Sequence, residues 1–328
     1  MALLYMDGFD AGDYALKATA ISGGVGTTNS TRFGTGLALT TGSNSSYLRS
    51  VPTTTTLIVG FALKQQGLDG SAFFVLYGDN AATNHLSLAY TGVATLTLYR
   101  GGTAIASCVS SYPTSWINYY EVLATISDTV GQVIVRINGV EMINFSGDTK
   151  NGGTNSYVDT FGFSTGNVGS THFFDDVYAL DTTGTAPYNT FLGDVRVNTL
   201  VPNAAGSSTQ FTPSIGANYT TVDELPYSAT DYVSSTTVGN RDTYALSDLS
   251  AAATIFGVQN NVVAKKTDAG NISLKPAIKS GASVYYGSTS SLGNADRTYI
   301  DTRALDPSTS TAWTAAGVNA LESGFEVA

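Results

Sequence analysis

The chain has 328 residues, 42% hydrophobic and only 12% charged, with 15 Lys and Arg against 25 Asp and Glu for a net charge of −10. That length suits two domains better than one sandwich, and the hydrophobic share excludes disorder. The few, scattered basic residues argue against nucleic acid or an anionic membrane as partner, and a lone cysteine, Cys108, with two histidines, His85 and His172, excludes an intrachain disulfide and a zinc site.

In chain order, the opening residues lack a basic leader, and Asp7 cuts their apolar run, so no signal peptide is predicted. No apolar run nears the roughly 18 residues of a membrane span, so membrane insertion is not expected. Leu3 to Phe9 is the first strand candidate. Thr55 to Lys64 and Ala72 to Tyr77 are near-continuous apolar runs, as strands buried on both faces should be. Leu86 to Tyr90 and Ala94 to Arg100 flank Thr91-Gly92 and read as a hairpin. Trp116 to Ile126 follows, and Cys108 reads as a small core residue on a strand. Gly131 to Ile137 leads into Asn138-Gly139, a strong hairpin signal, and Val140 to Phe145 returns. Val158 to Phe163 and His172 to Leu180 complete a set that implies a two-sheet sandwich.

Residues 181–189 (DTTGTAPYN) are turn-rich, which places a domain boundary there: a sandwich over 1–185 and a second, smaller β-rich domain over 186–328. In the latter, strands are expected at 192–200, 243–249, 255–265 (with Asn260-Asn261 a bulge or turn), 271–279, 282–286 and 299–305, and 202–208 reads as a loop. Thr311 to Leu321 is the one predicted helix, ended by Gly324, with Phe325 and Val327 in a terminal strand. The fold class is therefore all-β.

Trp116 to Gly139 carries an aromatic-led strand, a polar turn and a strand ending in Asn-Gly, and His172 to Asp181 supplies a closing strand. This resembles the laminin-G and concanavalin-A-like jelly-roll superfamily. The resemblance implies a jelly-roll sandwich over about the first 180 residues, with the last strand pairing back on Leu3 to Phe9. The segments MALLYMDGFD, FDDVYALDTTGTAPYNTFLGDVRV and DPSTSTAWTAAGVNALESGFEV resemble tailed-phage structural proteins of the minor tail, tail-fibre or decoration type. That implies a virion location, on the tail or the outer capsid, with other virion proteins as partners and a homo-oligomer, a trimer being the favoured number.

No paired-carboxylate glycanase motif, Gly-x-Ser-x-Gly elbow or phosphate loop is present, so no catalytic residue is expected. Asp175 and Asp176 are adjacent, and adjacent strand residues point to opposite faces. Calcium is the cofactor the acids suggest: Asp7 and Asp10 are close in sequence, and Asp176 joins them if the first and last strands pair. The alternative is that these acids cap turns or satisfy buried backbone donors. Tyr112, Tyr119, Tyr120, Tyr285 and Tyr286 are candidates for stacking on a host-surface glycan or for an oligomer interface. In each Tyr-Tyr pair only one ring is expected to face the core. The readings that follow are a tail-fibre adhesin, a capsid decoration protein, or, least favoured, a glycan-cleaving enzyme.

Overall fold

A computed structural model describes residues 2–68, 70–116, 118–166, 169–249 and 254–328. Ile117, inside the predicted 116–126 strand, lies outside them. Contacts divide the chain into two units, Met1–Phe9 with Ala18–Val197, and Asp10–Lys17 with Asn198–Ala328. The division falls at Val197/Asn198 rather than at 185/186, and a short early segment belongs to the second unit.

The first unit holds β1 (Leu3–Asp7), β2 (Ala20–Ser22), β3 (Val25–Thr28), β4 (Ala38–Thr41), β5 (Ser45–Thr54), β6 (Thr56–Gln66), β7 (Ala72–Gly78) and β8 (Thr83–Gly92). It continues with β9 (Thr95–Arg100), β10 (Thr103–Val109), β11 (Asn118–Thr125), β12 (Gly131–Ile137), β13 (Val140–Gly147), β14 (Val158–Thr165) and β15 (Thr171–Leu180). An eight-stranded sheet runs β13-β12-β11-β6-β15-β4-β3, with β1 also on β15, and a seven-stranded sheet runs β10-β9-β8-β7-β14-β5-β2. All pairs are antiparallel, and the chain passes repeatedly between the sheets, which makes a jelly-roll sandwich. The expected closure is present: Met6 stands opposite Tyr178 and Asp7 opposite Val177.

Aromatic rings fill the space between the sheets. Phe61 of β6 lies 5.0 Å from Phe74, 5.2 Å from Phe163 and 5.6 Å from Tyr120, and Phe163 stacks on Phe174 at 4.3 Å. Each such ring contributes on the order of 2 kcal/mol through burial alone. The strands β2 to β5 and β10 have no counterpart with bounds among the predicted strands: Ser, Thr and Gly make up half or more of β3, β4 and β5, β2 is only three residues long, and β10 is mostly small residues. Cys108 sits on the edge strand β10, only partly buried, rather than in the core.

The second unit begins with α1 (Tyr14–Lys17), then β16 (Pro202–Thr209), β17 (Thr212–Pro213), β18 (Val233–Ser234), β19 (Arg241–Leu246), β20 (Val258–Ala264) and β21 (Ser273–Ser280). It ends with β22 (Ser283–Tyr286), β23 (Ser290–Ser291), β24 (Arg297–Arg303), β25 (Leu305–Asp306), β26 (Thr311–Ala312), α2 (Ala315–Asn319) and β27 (Glu322–Val327). Its main sheet runs β16-β19-β27-β21-β22, with β23 on β21, and β20 pairs with β24. Ile278, Trp313, Val318 and Leu321 form one core cluster, and Val262, Leu274 and Tyr299 another.

Several expectations change here. The 202–208 loop is strand β16, whose small residues Gly206 and Ala204 give no hydrophobic signal. The helix contracts to α2: Thr314 caps it by accepting from the Gly317 amide at 3.0 Å, and Thr311–Ala312 pairs as β26 instead. Asn260 makes no turn. It is buried within β20, where its amide donates to the carbonyls of Ala277 (3.0 Å) and Gly324 (2.8 Å).

Candidate functional site

The outer side of the eight-stranded sheet is closed by its own chain. Tyr178 of β15 and Glu121 of β11 both stand opposite Gly60 of β6, where a Cβ would lie 2.1 Å from the Tyr178 ring. Gly60 thus makes room for Tyr178, whose hydroxyl donates to Glu121 at 2.5 Å. Burial, reinforced by the Glu121 charge, pushes the Tyr178 hydroxyl far above its usual pKa, so it remains a donor. Residues 191–197 form a strap across this cluster. The Gly193 amide donates to Glu121 (2.7 Å), the Leu192 amide to the Tyr178 hydroxyl (3.1 Å) and the Val197 amide to Asp176 (2.8 Å). Arg32 binds the Asp194 carboxylate and the Val195 carbonyl and reaches Asp176 at 3.3 Å, while Arg136 lies over the Phe191 ring at 4.3 Å. The predicted 192–200 strand is absent because these amides bond to side chains rather than to a neighbouring strand.

This strap corrects the expectation for Tyr119 and Tyr120, both of which are buried. Tyr120 faces inward, 5.6 Å from Phe61, and shares a 2.7 Å hydrogen bond with Tyr90. Tyr119 faces the other way, yet its ring lies under Arg32 and its hydroxyl donates to the Asp176 carbonyl at 2.8 Å. Neither is available to a ligand. Tyr112 is half-buried with its ring edge-on to Tyr90 at 6.0 Å. In the second unit Tyr285 stands in register with buried Ile278, and Tyr286 is exposed. The Tyr286 hydroxyl is engaged by Glu326 and Arg241, and Lys275 lies 4.3 Å above its ring.

The acids are likewise spent on protein donors. Asp7 accepts from the Tyr5 hydroxyl (2.6 Å) and the Phe9 amide (2.8 Å), and Asp176 from Val197 and Arg32. Burial raises the Asp176 carboxyl above its usual range. Asp10 belongs to the second unit. Among the described residues no group of three or more His, Cys, Asp or Glu could hold a metal ion, so these residues do not fit calcium. Asp175 and Asp176 do not diverge as adjacent strand residues would. A register shift and a positive φ of 52° at Asp176 turn both toward Arg32, whose amide donates to Asp175 at 3.2 Å.

The outer side of the seven-stranded sheet is different. Tyr47 and Phe163 stack inside the sandwich, so Leu48 and Gly162 beside them face outward. A Cβ on Gly162 would lie 2.4 Å from Leu48 and 3.1 Å from Val75, which fixes all three on one face. Register then carries the face across the sheet: Val75 opposite Ser87, Ser87 opposite Tyr99, Tyr99 opposite Ala104. A second row holds Ala72, Ala89, Thr97 and Ser107, and a third Ser50, Thr160 and Tyr77. No Asp, Glu, Lys or Arg stands in these rows. Ser87 and Ala89 of β8 stand between Val75 on one side and Tyr99 and Thr97 on the other, and Val75, Ser87, Ala89 and Thr97 are all buried, so this stretch of the face is closely packed. At the β10 end of the face a shallow, open depression of about 510 Å³ is lined by Thr91, Thr97, Tyr99, Ala104, Ile105, Ala106 and Ser107. Thr91 and Thr97 share a hydrogen bond of 3.1 Å there. Sequence reasoning did not find this face, although the alternation of 95–99 (TLTLY) marks Thr97 and Tyr99 as the side opposite the leucines.

No protein-family description matches the chain, and no curated protein does. Among solved structures, the cellulose-induced protein Cip1 is similar over 53% of this chain and 96% of its own, at 15% identity and a TM-score of 0.42. The carbohydrate-binding module CBM66 from Bacillus subtilis covers 50% and 96% at 10% identity and a TM-score of 0.33. The carbohydrate recognition domain of Emp46p in its potassium-bound form covers 54% and 99% at 10% identity and a TM-score of 0.35. In all three the likeness takes in about half of this chain, and it assigns no family.

Proposed function

We propose that the chain is a non-enzymatic glycan-binding protein of a phage particle surface, with the outer face of the seven-stranded sheet as its ligand site. The observation that carries this reading is the shallow, open depression beside Tyr99: a partly exposed aromatic ring with the exposed Thr91 and Ser107 next to it and no charged residue in the lining. A tyrosine ring supplies a flat apolar platform with a polar tip, and hydroxyls match the donor and acceptor pattern of a sugar. On the opposite side of the sandwich the 191–197 strap occupies the space over Glu121, Tyr178 and Asp176. The resemblance of three segments to tailed-phage structural proteins supports the particle setting.

Titration of the full-length protein onto immobilised host-cell polysaccharides tests the binding reading. Wild type is expected to bind, Tyr99→Ala to bind about tenfold more weakly with an unchanged melting temperature, and no reducing ends are expected in the supernatant. Equal binding by Tyr99→Ala would move the site elsewhere, and released reducing sugar would make the protein an enzyme. Antibody labelling of purified particles tests the setting.

A further inference from the structure

Resting on that reading of the seven-stranded sheet, we infer that its ligand class is a neutral glycan, free of carboxylate, sulfate and phosphate groups, bound without a metal ion. The argument is one of missing countercharge. The seven-stranded sheet contains two arginines, Arg49 and Arg100, and both lie away from the depression. Arg49 sits 4.6 Å from the Tyr5 ring, on the side of the sheet that carries Tyr47 and Phe163. Arg100 stands opposite buried Leu86 and pairs with Asp148. An anionic sugar on Thr97, Tyr99 and Ser107 would lose water from its charge and gain no cation in return, which costs several-fold to many-fold in affinity. The chain's net charge of −10 adds long-range repulsion against any polyanion. The depression also lacks carboxylates, so it has no ligands through which a divalent cation could bridge to a sugar. What remains is stacking on Tyr99 and hydrogen bonding to hydroxyls, both of which are insensitive to salt.

The test is a glycan array carrying neutral chains (glucans, mannans, galactans) and anionic ones (alginate, polygalacturonate, polysialic acid, sulfated galactan). It is probed with the full-length protein in 20 and 500 mM NaCl, with and without EDTA. The expected result is binding to neutral chains only, changing less than about twofold with salt or EDTA. Tyr99→Phe should keep it, and Tyr99→Ala should lose about tenfold. Binding to an anionic chain that falls steeply with salt and is lost in Tyr99→Ala would overturn the neutral class and leave the depression as the site. Loss in EDTA would overturn the metal-free claim alone. Neutral binding that Tyr99→Ala leaves intact, or no binding to any chain, would overturn the reading of the depression itself.

Discussion

Glu121 shows what a single residue discloses in sequence and what it withholds. It interrupts the apolar run NYYEVLA, and a carboxylate inside such a strand signals a buried, paired group. Its partners were not legible: Tyr178 lies 57 positions away and Gly193 lies 72 away. Glu322 is the counterpart in the second unit. Burial raises its pKa, but Lys279 at 2.6 Å, the Ser207 amide and the Thr243 hydroxyl outweigh that and bring it down to about 2. A depressed carboxyl contributes stability that is fully present above its unfolded pKa and lost as pH falls toward the folded one. The second unit is therefore expected to lose stability between about pH 4.5 and about pH 2, and Glu322→Gln to remove that part of the loss. Acid titration of urea midpoints for both proteins checks this, and parallel curves would refute it.

At the scale of elements, strands with a full apolar face were legible and strands of Ser, Thr and Gly were not. β6, β11 and β15 declared themselves because both sides of each are largely covered, and β12 because its apolar residues alternate. β5 did not, since only Tyr47 and Val51 of its inward residues are large and apolar. The candidate site was hidden for the same reason, because the Thr, Ala and Ser residues around Tyr99 give no hydrophobic pattern. Gly162 is where the two kinds of strand meet. Adding a methyl there would press on Leu48 at 2.4 Å and on the Tyr47 carbonyl at 2.9 Å. Gly162→Ala is expected to destabilise the first unit by roughly 1–3 kcal/mol, as overpacking does. Urea unfolding followed through the tyrosine signal measures it, and a loss below about 0.5 kcal/mol would mean that the outer rows give way freely.

At the scale of the whole chain, the composition identified an all-β protein, and the first-to-last strand pairing was implied by the resemblance of the closing segment to the last strand of the jelly-roll superfamily. The turn-rich 181–189 stretch drew the boundary too early, because turn residues say nothing about what a loop packs on. Tyr188 is buried, and the strap beyond it satisfies Glu121 and Asp176. A chain ending at 185 is expected to be less stable than one ending at 197 by roughly 1–3 kcal/mol, since Glu121 and Asp176 each lose a backbone donor and Arg32 loses Asp194, while Glu121 keeps Tyr178 and Arg32 keeps Asp176. Thermal unfolding of the two truncations decides the point, and equal midpoints would show that the strap is dispensable.

Asp10 to Lys17 belongs with the second unit although the chain before and after it belongs with the first. Its Asp13 pairs with Lys17 at 2.8 Å and accepts from Thr298 at 2.9 Å. The backbone therefore crosses between the units three times, so the second unit cannot be inherited, or transplanted by an engineer, as a cassette with a single joint. A recombination event between residues 197 and 198 would deliver a recipient with Thr298 but no Asp13, and a donor with the orphaned helix.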